Sequence, residues 1–143
     1  MSSIGAPTGQ SVGHESERAD VELRLPADSA YASVLRTTTA GLAARLDFTI
    51  DDIEDLRIAV GEASAMVLPE AIPGTDLTSR FYMGAGSLTV SIGVSVEAEV
   101  IPDYDSFAWQ VLTTLATAAT ADNADGTFTI SLSMQPGVPG GGL

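Results

Sequence analysis

A chain of 143 residues with 45% apolar and 17% charged residues has the length of one domain and can bury a core. Its 19 acids outweigh 6 bases, all of them arginine, and the net charge of −13 repels phosphate backbones and favours a basic protein partner over nucleic acid. The absence of cysteine excludes disulfides, thiolate zinc sites and a cysteine nucleophile.

The first 19 residues are rich in Ser, Gly and acids without periodicity, and residues 135–143 read Gln-Pro-Gly-Val-Pro-Gly-Gly-Gly-Leu. Both are expected to be disordered tails, because neither can bury enough to offset its ordering entropy. His14 falls in the first tail and reads as a solvated residue, not a metal ligand. No apolar run approaches the ~18 residues of a membrane span, and the N-terminus has neither the basic start nor the apolar stretch of a signal peptide. A cytoplasmic protein with one ordered domain over residues 20–134 is therefore expected.

Val21, Leu23 and Leu25 alternate with Glu22 and Arg24, a short strand ended by Pro26. Asp28 suits the N-cap of a helix to about Leu46, with Tyr31, Val34, Leu35, Leu42 and Leu46 as its apolar positions. Thr49 and Asp52 then form a capping-box pattern, with Phe48 and Ile53 in the staple positions. The helix they open carries Ile53, Leu56, Val60, Ala63 and Val67 on one stripe and stops before Pro73-Gly74. Leu77, Phe81 and Met83 mark the next strand, and Gly84-Ala85-Gly86 turns it into another. There Leu88, Val90, Ile92, Val94 and Val96 alternate with small polar residues. A third helix is expected from about Ser106, with Phe107, Val111, Leu112, Leu115 and Ala118 on its stripe. Asp122-Asn123-Ala124-Asp125-Gly126 reads as a turn into a last strand bearing Phe128, Ile130, Leu132 and Met134.

The order β-α-α-β-β-α-β implies a two-layer α/β sandwich, a mostly antiparallel sheet with helices on one face. Composition and periodicity alone name no catalyst within it.

The segment Ile50-Asp51-Asp52-Ile53-Glu54-Asp55-Leu56-Arg57-Ile58-Ala59-Val60-Gly61-Glu62-Ala63-Ser64 resembles the second helix of RsbW-type anti-sigma factors. These are serine kinases of the GHKL (Bergerat) ATP-binding superfamily. The likeness in element order extends over about residues 20–134, and its specific part is Leu56 to Ala63. It implies the histidine-kinase-like ATPase fold and a regulator that holds a sigma factor until an anti-anti-sigma partner displaces it. Members phosphorylate a serine on that antagonist, with Mg-ATP as cofactor, and act as dimers in stress-response transcription.

In the family a Glu on this helix is followed four residues later by Asn, so that acid and amide share one helix face. The Glu acts as a base toward a hydroxyl, and the amide oxygen helps hold Mg²⁺. Glu62 matches the first, whereas Met66 stands at the second, and a thioether is a poor ligand for a hard cation. The family's Asp-x-Gly-x-Gly position reads Ser95-Val96-Glu97-Ala98-Glu99, without Asp or glycine. Its later Gly-x-Gly reads Phe107-Ala108-Trp109. The nucleotide motifs are thus degenerate, as in some actinobacterial members.

Glu62 reads either as a surface acid beside Asp51, Asp52, Glu54 and Asp55, or as a residual base. Trp109 reads as a core anchor or a ligand-stacking residue. Arg36 falls where the family's first helix presents an arginine to sigma factor and antagonist. It lies off the apolar stripe among Ala32, Ser33 and Ala40, so it reads as a solvated arginine or as the partner-binding residue. Three functions remain open: an anti-sigma factor with weak or no kinase activity, an active serine kinase using Glu62, and a non-enzymatic scaffold or ligand-binding domain of the same fold. Self-association is expected through the first strand and helix or the solvent face of the sheet, since the last strands show a Thr/Ser face with few charges.

Overall fold

The computed structural model describes residues 18–136. Most of both expected tails, and His14 with them, lie outside the described residues.

Five antiparallel strands form one sheet in the order β1-β2-β3-β5-β4, from β1 (Val21–Pro26), β2 (Asp76–Gly84), β3 (Ser87–Ser95), β4 (Ala118–Ala124) and β5 (Thr127–Met134). Leu88, Val90, Ile92, Ile130 and Leu132 are fully buried on one face, and Thr89, Ser91, Thr129 and Ser131 line the other. That alternation puts α1 (Ala32–Arg45), α2 (Ile50–Val67) and α3 (Phe107–Leu115) on the apolar face and leaves the polar face open. The result is the expected two-layer α/β sandwich.

Helix α2 runs through the middle of the helical layer, packing on α1, α3, β3 and β5. Thr49 caps it, its hydroxyl accepting from the Asp52 amide at 3.1 Å and donating to the Asp52 carboxylate at 2.9 Å. Phe48 is buried beside this start, as a hydrophobic staple requires. Leu56, Ala59, Val60, Ala63, Ser64 and Val67 form the buried face, and Ser64 satisfies its hydroxyl on the Gly61 carbonyl at 2.9 Å. A 3-10 turn, Leu68–Glu70, ends the helix at Pro69.

Three details depart from the sequence-based expectation. Asp28 does cap the first helical segment, but through a 3-10 turn, Ser29–Tyr31. The buried face of α1 is Leu35, Thr39 and Ala43, while Tyr31 and Val34 are exposed. Small residues at this four-residue spacing admit α2, and Thr39 hides its hydroxyl on the Leu35 carbonyl at 2.8 Å. In α3, Trp109 takes the buried position expected of Phe107, which is 81% exposed, and the helix ends at Leu115.

A fourth departure is β4, a strand where the sequence pattern gave the end of a helix and a turn. Its sheet positions facing the helices are Ala119, Ala121 and Asn123, too small or polar to show an apolar alternation. The turn itself is only Asp125-Gly126, with φ of 54° and 76°, between paired Ala124 and Thr127. Positive φ at both central residues is the type I′ hairpin that Asp-Gly favours. The element order is therefore β-α-α-β-β-α-β-β.

Candidate functional site

The residues singled out from the sequence fall on two sides of α2. Glu62 and Met66, four residues apart, share one helical face, and both are half-buried. Glu62 has no ion pair or side-chain hydrogen bond among the described residues. Met66 packs against the apolar core. Its thioether is engaged in dispersion contacts and brings no oxygen to a cation, so the helix offers a lone carboxylate where acid and amide would have to converge.

The segment between β3 and α3 adds no phosphate cradle. Val96 is buried and its amide donates to the Gly126 carbonyl at 2.9 Å. Glu97, Ala98 and Glu99 follow in exposed positions, and two carboxylates there oppose a polyphosphate. The Asn123 side chain then clamps Val100, accepting from its amide at 3.0 Å and donating to its carbonyl at 2.8 Å. Tyr104 stacks edge-on against Trp109 with ring centroids 4.9 Å apart. Ser106 caps α3 by accepting from the Trp109 amide at 3.1 Å, which occupies a donor that an anion at this helix start would use. Trp109 is 7% exposed and belongs to the core. The residues present do not fit Mg-ATP: the amide ligand is replaced by packed apolar surface, and the loop carries acids without glycines. Among the described residues, no three Asp, Glu or His side chains gather as a metal would require.

Arg36 lies on the other side, in the groove between α1 and α2. Its neighbour is Gly61, where a Cβ would stand 3.3 Å from Arg36 Cδ and 3.8 Å from Nη1. The arginine stem thus rests on the bare backbone of α2. Arg36 is half-buried and takes part in no ion pair among the described residues, whose arginine pairs are Arg24–Glu22, Arg80–Glu22 and Arg57–Glu54. A planar donor array is therefore held at the surface with its hydrogen-bonding capacity unspent within the domain. Around it stand Ser33 and Thr37 on α1 and Ile58 and Ala65 on α2, all exposed. The role of Gly61 was not legible in the sequence, though a glycine deep inside a capped helix is the kind of signal that marks a close approach.

On the opposite face of the molecule, Thr78, Ser91, Thr127 and Thr129 line a shallow hollow of about 120 Å³ beside Arg80. The Thr89 and Ser133 hydroxyls pair across the sheet at 3.0 Å. Charge lies toward both edges, at Glu22, Arg24 and Arg80 on the β1 side and at Asp122 on β4.

No family model matches the chain. It is similar to curated proteins described as serine-protein kinase RsbW. One, from Bacillus velezensis, is 43% identical over 90 residues, which cover 61% of this chain and 51% of that protein. Those of Bacillus thuringiensis and Bacillus cereus are 41% identical over 51 residues, 36% of this chain and 32% of theirs. The chain thus spans about half of the first of these relatives, or less of the others.

Proposed function

We propose, from the premise that the chain is a relative of the RsbW serine-protein kinases, that it is an anti-sigma factor that works by binding and has weak or no kinase activity. In this reading Arg36 anchors a sigma factor, and an anti-anti-sigma protein competes for the same surface. Both partners place the protein in the cytoplasm. The observation that carries the reading is Arg36 itself, seated in the α1–α2 groove without a carboxylate partner among the described residues. The net charge of −13 adds a long-range attraction toward basic DNA-binding regions.

The weak-kinase part rests on Met66, whose packing on the core removes the metal arm. Glu62 keeps the family's acid and would be the base of an active kinase, the second reading. Two measurements separate them. Co-expression with each alternative sigma factor of the source organism, followed by gel filtration, should return one stable complex. Calorimetry with Mg-ATP should show no sub-micromolar binding, and labelled phosphate should not reach a serine of the antagonist. Phosphate transfer would establish the kinase, and the absence of any sigma complex would leave a scaffold of the same fold.

The open sheet face supports self-association as well. Its centre is small and hydroxyl-lined, with Glu22 and Arg24 on the β1 edge and Asp122 on the β4 edge. Sedimentation at tens of micromolar should show a dimer, and monomer alone would count against it.

A further inference from the structure

We infer that Gly61 is a positioning residue for Arg36: the missing side chain forms a seat that fixes the arginine stem and aims its guanidinium at a carboxylate of the partner. The inference rests on the reading of Arg36 as the partner anchor and adds a second residue, on a different helix, to that surface.

The argument begins with the anomaly of a glycine at this place. Gly61 sits in the interior of an 18-residue helix, far from either cap. Its φ is not positive, so the backbone does not require glycine there. A glycine in a helix interior is less favourable than alanine because it orders more backbone freedom. Something else must gain from the absent Cβ. Among the described residues, and apart from the helix's own adjacent residues and backbone, the atoms within 4 Å of that Cβ position belong to Arg36. At 3.3 Å from Cδ, a methyl group would be a tight contact, and the arginine stem would have to give by a few tenths of an ångström.

Gly41 provides the contrast. It is also helical, on α1, and a Cβ there would meet nothing within 4 Å. Two helical glycines therefore occupy different situations, one open to solvent and one under an arginine.

Seating the stem matters for binding because a long side chain loses rotamer freedom when it is immobilised at an interface. A stem already lying on α2 has lost part of that freedom in the free protein. The guanidinium is then presented in one orientation, as bidentate pairing with a carboxylate demands. Ile58 and Ala65 lie three residues before and four after Gly61, on the same helical face, and both are exposed. They supply an apolar rim that excludes water from the pair when a partner covers it.

The test compares Gly61→Ala, Gly41→Ala, Arg36→Ala and the Arg36→Ala/Gly61→Ala double variant in the full chain, with the purified sigma factor identified by co-expression as the probe. Gly41→Ala should raise the melting temperature by about 2–5 °C through helix propensity and leave affinity unchanged. Gly61→Ala should not lower the melting temperature, yet should weaken sigma binding about tenfold, against about thirtyfold for Arg36→Ala. In the Arg36→Ala background, adding Gly61→Ala should cost no further affinity. A nuclear Overhauser contact between Arg36 Hδ and Gly61 Hα should be present in the wild type and weaker to the Ala Hα in Gly61→Ala. Wild-type affinity for Gly61→Ala beside a weakened Arg36→Ala would overturn the seat while sparing the partner reading. An additional loss in the double variant would overturn it too, by making Gly61 a direct contact. Wild-type affinity for Arg36→Ala would instead remove the partner reading on which the seat depends.

Discussion

Two neighbouring stretches of the α2 surface present different chemistry within one rigid element. On one, Arg36 lies on Gly61 with its donors free of internal carboxylates. On the other, Glu62 remains but Met66 is packed into the core, and the loop toward α3 carries Glu97 and Glu99. The contrast shows how unequal the demands of binding and of phosphoryl transfer are. An interface can turn on one or two well-seated anchors. Nucleotide chemistry needs an acid, a metal ligand and a phosphate cradle together, each within a fraction of an ångström. Apolar surface in place of one of them is incompatible with such a site but leaves the fold, and the neighbouring Arg36 groove, intact.

Both faces hang on the same buried stripe, so the largest effect should come from breaking it. Leu56 is fully buried on α2 under both regions. Leu56→Ala should destabilise the domain by about 3 kcal/mol, read as a lowered urea midpoint at unchanged slope. Partner binding should fall only in step with the unfolded fraction. A selective loss on one side at full foldedness would mean that the faces are not supported by a common core.

Arg36→Ala should separate the faces. Sigma affinity should drop by about 2 kcal/mol at one fixed moderate salt concentration, with circular dichroism and thermal stability unchanged. Arg36→Lys should restore part of the loss, because an ammonium cannot pair bidentately. Fixed salt is essential, since the charge of −13 contributes an attraction of its own that fades with ionic strength.

Met66→Asn addresses the other face. Restoring the amide exchanges a half-buried apolar side chain for a polar one and should cost about 1–2 kcal/mol of stability. Calorimetry should still detect no tight Mg-ATP binding, because the loop retains its acids and α3 its Ser106 cap. Recovery of binding from this single change would show that the amide alone had been lost.

The legibility of these features in the sequence followed their physical signal. Alternating large residues in β3 and β5, and the Thr49–Asp52 cap of α2, announced themselves through period and spacing. Strand β4 did not, because an Ala-Ala-Thr-Ala-Asp-Asn-Ala edge has no apolar rhythm and β5 is its one strand partner. Arg36 was legible as an arginine off the apolar stripe, and Met66 as an apolar residue four positions after Glu62. The seat at Gly61 was not, because it depends on the crossing of α1 and α2, a relation between residues 25 positions apart.

The smallest effect should come from the core beneath the sheet, away from both faces. Ser79 is fully buried on β2, opposite Leu23 and Ile92, and its hydroxyl has no hydrogen-bond partner among the described residues. A buried hydroxyl left unpaired keeps its desolvation cost without return. Ser79→Ala deletes the oxygen and leaves the Cβ packing in place, so the void it opens is less than a methyl group. Stability should rise by up to about 1 kcal/mol in chemical denaturation. Sigma affinity should be unchanged, and Mg-ATP binding should remain undetectable, because neither α2 face contacts the change directly. A destabilised Ser79→Ala protein would mean that the hydroxyl has a partner in solution. An altered affinity at unchanged fold would couple the sheet to the Arg36 groove and end the separation of the two faces from the core.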